Sequence, residues 1–95
     1  PEQVKNLKQT IDNGQIKLTW DNPEDDGFQG VIVVKNPFRV PSSPYDGQKL
    51  YGGIDSYTYD NFGDIKVHKY YAVFSYDDVP NFSEPVFMEV NKKEE

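Results

Sequence analysis

Val67 to Asp77 reads VHKYYAVFSYD, the longest stretch dense in aromatic and β-branched residues with neither glycine nor proline inside it. Such residues fit a pleated, packed surface, so this stretch is expected to be a long central strand. A strand that is apolar on both faces has no stability alone. Neighbouring segments must pair with its edges and cover its faces. Two phases are open for it: Tyr71 and Val73 inward, or Tyr70, Ala72 and Phe74 inward.

Working outward, turn signals recur roughly every 8–12 residues with short apolar segments between them, the spacing of an all-β sandwich or barrel. No segment carries an i, i+3, i+4 apolar stripe, and no βαβ rhythm appears. Before the central strand, Gln15 to Trp20 alternates, with Ile16, Leu18 and Trp20 on one face and Gln15, Lys17 and Thr19 on the other. That is a half-buried strand with Trp20 in the core. Asp12-Asn13-Gly14 before it suits a tight hairpin, because Asn-Gly accepts positive φ. Val31 to Lys35 is a covered strand, and Val86, Met88 and Val90 alternate with Phe87 and Glu89 in the last one. In all, seven strands are expected: A (4–10), B (15–20), C (31–36), C′ (48–51), E (56–60), F (67–77) and G (85–90). Gly52-Gly53 reads as a turn, and Tyr57 and Tyr59 share one face of strand E. Residues 36–47, NPFRVPSSPYDG, hold three prolines and form the longest connection. Phe28 is expected to fold back as a plug.

Composition narrows the functional classes. The chain has 95 residues, a single-domain length, and its aromatic content of 15% must carry much of a modest core. Sixteen acidic against ten basic residues give a net charge of −6, and the sole arginine is Arg39. Nucleic acid and anionic membrane are poor partners for that balance, since phosphate contacts need clustered Lys and Arg. No apolar run approaches the roughly 18 residues of a spanning helix, and no signal-peptide pattern opens the chain. The chain begins with Pro1, so it is expected to be a piece of something longer. There is no cysteine, hence neither disulfide nor thiol chemistry.

No motif carries catalytic chemistry. His68 is the only histidine and has no soft partner ligands or nucleophile elbow beside it. Adjacent carboxylates such as Asp25-Asp26 and Asp77-Asp78 point apart on loops, unlike a glycosidase pair. Asp21, Glu24, Asp25 and Asp26 lack the spacing of a calcium loop, and a solvated connection is the expected role. Asn81-Phe82-Ser83 fits a glycosylation sequon and equally a turn into the last strand. Catalytic, metal and cofactor sites are therefore all expected to be absent. What remains is aromatic residues and one arginine: Phe38, Arg39 and Tyr45 in the proline-rich connection, with Phe74, Tyr76 and Phe82 on or beside the F–G sheet. Clustered exposed aromatics mark contact surfaces for proteins or sugars, so these six are the candidate binding residues.

Several of these features fall in one order. Pro1-x-x-Val4-x-x-Leu7 is followed by Gly14-Gln15-Ile16-x-Leu18-x-Trp20 and Pro23. Asp46-Gly47, Tyr51-x-Gly53, Tyr57 and Asp60 come next, then Tyr71-Ala72-Val73-Phe74-x-Tyr76-Asp77 and Asn81-x-Ser83-x-Pro85. Over residues 1–90 this resembles a fibronectin type III domain, and most of all its bacterial and archaeal versions; residues 91–95 are a charged tail or the start of a linker. The departure lies in the family's tyrosine corner. Phe62 would be its anchor, His68 or Lys69 falls at the tyrosine position, and Tyr70 could be displaced into the role. The resemblance implies sheets A-B-E and C′-C-F-G with the termini at opposite poles. It favours Tyr71 and Val73 as the inward phase, with Phe74 and Tyr76 outward. The core then comprises Val4, Leu7, Ile16, Leu18, Trp20, Val31, Val33, Tyr57, Tyr71 and Val73. It further implies a non-catalytic module of a secreted or cell-surface protein, whose partners are neighbouring domains of the same polypeptide and a protein or carbohydrate ligand.

Overall fold

The computed structural model describes residues 1–61 and 69–90, which form seven strands in two antiparallel sheets laid over one another as a sandwich. The strands are β1 (Lys5–Asp12), β2 (Gln15–Asp21), β3 (Gly30–Asn36), β4 (Gln48–Gly53), β5 (Tyr57–Asn61), β6 (Lys69–Tyr76) and β7 (Val86–Val90). One sheet has the order β1-β2-β5 and the other β4-β3-β6-β7. Val67, His68, Phe62 and the 91–95 tail lie outside the described residues.

Local chemistry sets the strand ends. Asn13 and Gly14 both take positive φ, 53° and 79°, as a two-residue hairpin between right-twisted strands requires. β6 stops at Tyr76 because Asp77 turns the chain, accepting bonds from the amides of Val79 at 3.1 Å and Asn81 at 2.6 Å. Gly52 and Gly53, expected to form a turn, instead continue β4 opposite Ile32 and Val31. The turn falls at residues 54–56, where Asn22 Nδ2 donates to the Ile54 carbonyl at 3.0 Å.

Alternation fills the space between the sheets. Ile16, Leu18 and Trp20 from β2 meet Val31 and Val33 from β3, Tyr71 and Val73 from β6, and Val4 and Val90, all of them buried. Leu7, Phe28, Leu50, Tyr51, Val86 and Met88 pack around this cluster half-buried. Complete burial of one such aliphatic side chain contributes about 1.5–3 kcal/mol. Trp20 keeps its polar edge satisfied: Nε1 donates to Asn22 Oδ1 at 2.8 Å, and the ring tilts against Tyr51 at 6.5 Å. The observed phase of β6 is Tyr71 and Val73 inward.

Tyr57 does not join this core. It pairs with Thr19, whose neighbours Leu18 and Trp20 point inward, so the register turns Tyr57 to solvent at 44% exposure. The inward residue at the end of β5 is Asp60, only 8% exposed. Lys35, next in the inward series after Val31 and Val33, reaches across the sandwich to it at 2.9 and 3.0 Å. The Tyr71 hydroxyl donates to the same carboxylate at 2.6 Å. Burial opposes the charge on Asp60, but the bonds from Tyr71, Lys35 and the Asn61 amide outweigh it and hold its pKa below the ordinary value. Burial first, and then the Asp60 carboxylate, push Tyr71 upward, so its hydroxyl stays a donor. The two sheets are thus joined by a polar tie with every group matched.

The strand directions give the molecule two poles. At the pole where β1 begins lie the connections 22–29, 54–56 and 77–85. They and the adjoining strand ends carry Glu2, Asp21, Glu24, Asp25, Asp26, Asp55, Asp77, Asp78 and Glu84, with Lys5 as the nearby cation. At the other pole, where β7 ends, lie the 13–14 turn and the 37–47 connection.

Candidate functional site

Two loops converge on the outer face of the four-stranded sheet. Val34, Ala72 and Phe74 point outward from β3 and β6, yet all are buried, with Ile32 and Phe82 packed against them. Their cover comes from both poles. The 37–47 connection folds back from one, bringing the Gly47 backbone against Val34. The 77–85 connection folds from the other and sets Phe82 beside Tyr76, ring centroids 5.9 Å apart. The loops meet where Tyr45 stands edge-on to Phe82 at 6.2 Å.

Carboxylates anchor each loop. Asp46 accepts bonds from the Arg39 guanidinium and, at 2.9 and 3.1 Å, from the amide and hydroxyl of Ser42. Asn36, 5% exposed, accepts from the amides of Phe38 and Arg39 and donates to the Asp46 carbonyl. The Arg39 bond and then the Ser42 amide hold Asp46 below the usual carboxylate range. Gly47, at φ 138°, runs so close to the Lys35 carbonyl that a side chain there would collide with it. In the second loop Asp77 is also depressed, first by the Asn81 amide and then by the Asn81 side chain and the Val79 amide. That loop contains a cis Val79-Pro80 bond, and Ser83 and Ser75 close its base through the Ser83 amide at 2.9 Å and the Ser83 hydroxyl at 3.0 Å. Gly30, opposite Tyr76 in the register, leaves room for that ring: a Cβ there would lie 2.6 Å from the Tyr76 oxygen.

The structure therefore unites three of the candidate binding residues, Tyr45, Tyr76 and Phe82, and separates the others. Phe74 does point outward, but at 1% exposure it lies beneath the loops and offers nothing to a ligand. It supports the roof on which the trio sits. Phe38, 82% exposed, stands apart at the pole, beside a cleft lined by Asn36, Pro37 and Gln48. Arg39 is exposed but committed to Asp46. Tyr45, at 79%, is the open ring of the trio.

Two carboxylates of the acidic loop accept bonds from the protein itself. Asp25 accepts from the Gly27 amide at 2.7 Å, and Asp21 accepts from Asn6 Nδ2 at 2.7 Å. Among the described residues no three His, Cys, Asp or Glu side chains gather as metal ligands would.

A second aromatic group lies on the opposite outer face. Tyr57 and Tyr59 meet at 6.0 Å, near-perpendicular, and Lys17 Nζ stands 5.3 and 5.7 Å from their centroids. Lys17 was not among the sequence candidates. Its outward phase was legible from the alternation of β2; its position beside two tyrosines depends on the β2–β5 pairing, across forty residues of chain.

No family model matches this chain, and no curated protein matches it. Among solved structures, the spore cortex lytic enzyme SleM of Clostridium perfringens superposes on 97% of this chain with a TM-score of 0.75 at 14% identity. The match takes in 28% of the SleM chain, so this protein corresponds to little more than a quarter of that enzyme's length. At that identity the likeness is one of fold: an all-β sandwich that also occurs as one part of a longer polypeptide.

Proposed function

We propose that this chain is a fibronectin type III-like module without catalysis of its own, serving in a larger secreted or cell-surface protein to space and orient its neighbours. The observation that carries this is the placement of the beginning of β1 and the end of β7 at opposite poles, joined by an interior tied from sheet to sheet by Lys35, Asp60 and Tyr71. A body so connected passes the polypeptide from end to end and holds its length. The strand orders β1-β2-β5 and β4-β3-β6-β7 support the family assignment. The fold's occurrence within the longer SleM chain supports the modular role. The test is to place the chain between two fluorescent proteins and measure energy transfer. A spacer gives an efficiency that stays constant until the Trp20 emission reports unfolding; an efficiency that drifts under native conditions, as with a flexible linker, overturns the proposal.

Tyr45 favours a second reading, a contact module for a protein or carbohydrate. A ring 79% exposed, propped edge-on by Phe82 on a carboxylate-anchored loop, is held ready for a partner. Tyr45→Ala should then abolish retention on the partner while leaving the melting temperature nearly unchanged.

A further inference from the structure

We propose that the outer face of the three-stranded sheet is a platform for a carboxylate-bearing polysaccharide, with Lys17 reading the charge and Tyr57 and Tyr59 supplying the stacking surface. The register builds this face. Lys8, Thr19 and Tyr57 form one cross-strand row, and Thr10, Lys17 and Tyr59 form the next. None of these six is acidic, although the chain carries sixteen Asp and Glu and a net charge of −6. Asp21 continues the same face beyond Thr19, opposite Lys5 in the register and bonded by Asn6, so Lys8 and Lys17 leave the middle of the face locally basic on an acidic molecule, complementary to an anionic ligand.

Lys17 is the centre of the argument. Its ammonium is held over two rings, 5.3 and 5.7 Å from their centroids, and among the described residues it has no carboxylate partner. Attraction to the ring faces fixes the cation without neutralising it. An arriving carboxylate can therefore pair with Lys17 without breaking an existing salt bridge. Tyr57 and Tyr59 are 44% and 41% exposed, so each keeps part of its ring open. The shape of the face selects the kind of anion. Three clefts among the described residues lie beside Trp20 and Asn22, beside Val4, and beside Phe38, and none of them is lined by these six residues. A small acid would find no enclosing walls here, whereas an extended polymer gains by repeated weak contacts. An acidic peptide adding itself as a strand would pair along the edges of β1 or β5 through its backbone, whereas these six residues offer side chains on the sheet face. A pyranose chain needs only aromatic faces, hydroxyls such as those of Thr10 and Thr19, and a cation for its carboxylate.

The experiment is affinity electrophoresis of the intact chain in gels containing polygalacturonate, its fully methyl-esterified form, or poly-L-glutamate. Polygalacturonate should retard the protein, and the esterified polymer should do so about tenfold less well, the order of effect expected for losing several exposed charge contacts along the polymer. Lys17→Gln should lose about tenfold in affinity with Lys17→Arg retaining most of it, and Tyr59→Ala should lose a similar factor. Trp20 emission and the melting temperature of each variant identify any loss caused by unfolding; Lys17→Gln, at a partly exposed position, is the decisive variant. Phe87→Ala, an exposed ring on the other sheet, should bind as the parent does. Absence of retardation by polygalacturonate overturns the proposal. So does undiminished binding by Lys17→Gln, and so does equal retardation by poly-L-glutamate, which would mean that the face reads charge without reading sugar. None of these outcomes depends on the spacer role, which energy transfer tests separately.

Discussion

The two outer faces of this sandwich follow opposite rules. The four-stranded sheet turns Val34, Ala72 and Phe74 outward and then buries them under two loops. The three-stranded sheet turns Lys17, Thr19, Tyr57 and Tyr59 outward and leaves them open. The difference lies in the connections. The first sheet has the 37–47 and 77–85 connections folded over it, whereas β1 and β2 are joined by the tight 13–14 turn. An apolar outer face is tolerated where loops cover it; a face without loops must carry side chains that water accepts.

Phe74→Ala is the severest test of this contrast. Removing a ring 1% exposed should cost about 3–4 kcal/mol in urea unfolding. A loss below about 1 kcal/mol, the range of surface changes, would mean that the roofed face is no second core. Asp60→Asn comes next, because it cuts the tie on which both sheets depend and leaves Lys35 buried beside a neutral amide. The expected loss is about 2–3 kcal/mol, and Asp60→Asn with Lys35→Met should recover part of it. Gly30→Ala pushes a methyl group into the Tyr76 ring and the Gly53 carbonyl. It should cost about 1–2 kcal/mol and move the Phe82 ring resonances without moving those of Tyr57.

Acid should separate the faces without mutation. Asp46, Asp60 and Asp77 all have depressed pKa values. Each therefore contributes stability that is complete above its unfolded value, about 3.9, and lost as pH falls through the lower folded value. Two of the three anchor the roof and none lies on the open face. Below about pH 4 the Tyr45 and Phe82 resonances should shift before those of Tyr57 and Tyr59. The smallest effect belongs to the open face itself: Tyr59→Ala should cost no more than about 1 kcal/mol, the range of a cross-strand pair.

How much of this the sequence disclosed depends on the distance over which each feature is decided. The alternation of β2, the Asn13-Gly14 turn and the aromatic density of β6 are local, and they sufficed to place Trp20 inside, while the order of strands in each sheet came only with the family resemblance. Phe74 was correctly faced outward but wrongly offered to a ligand, because its burial depends on loops arriving from both poles. Tyr57 was wrongly placed in the core, because a five-residue strand reading YTYDN has no strongly apolar phase, and only its pairing with Thr19 decides which side is in. The tie between Lys35 and Asp60 spans 25 residues and reads in the sequence as two ordinary surface charges.

The crowding of carboxylates at the pole where β1 begins gives that end of the molecule a negative field. The field fades over a Debye length, about 10 Å at 0.1 M salt, so it reaches only what abuts that end. Whatever docks there feels an attraction or repulsion that ionic strength can adjust.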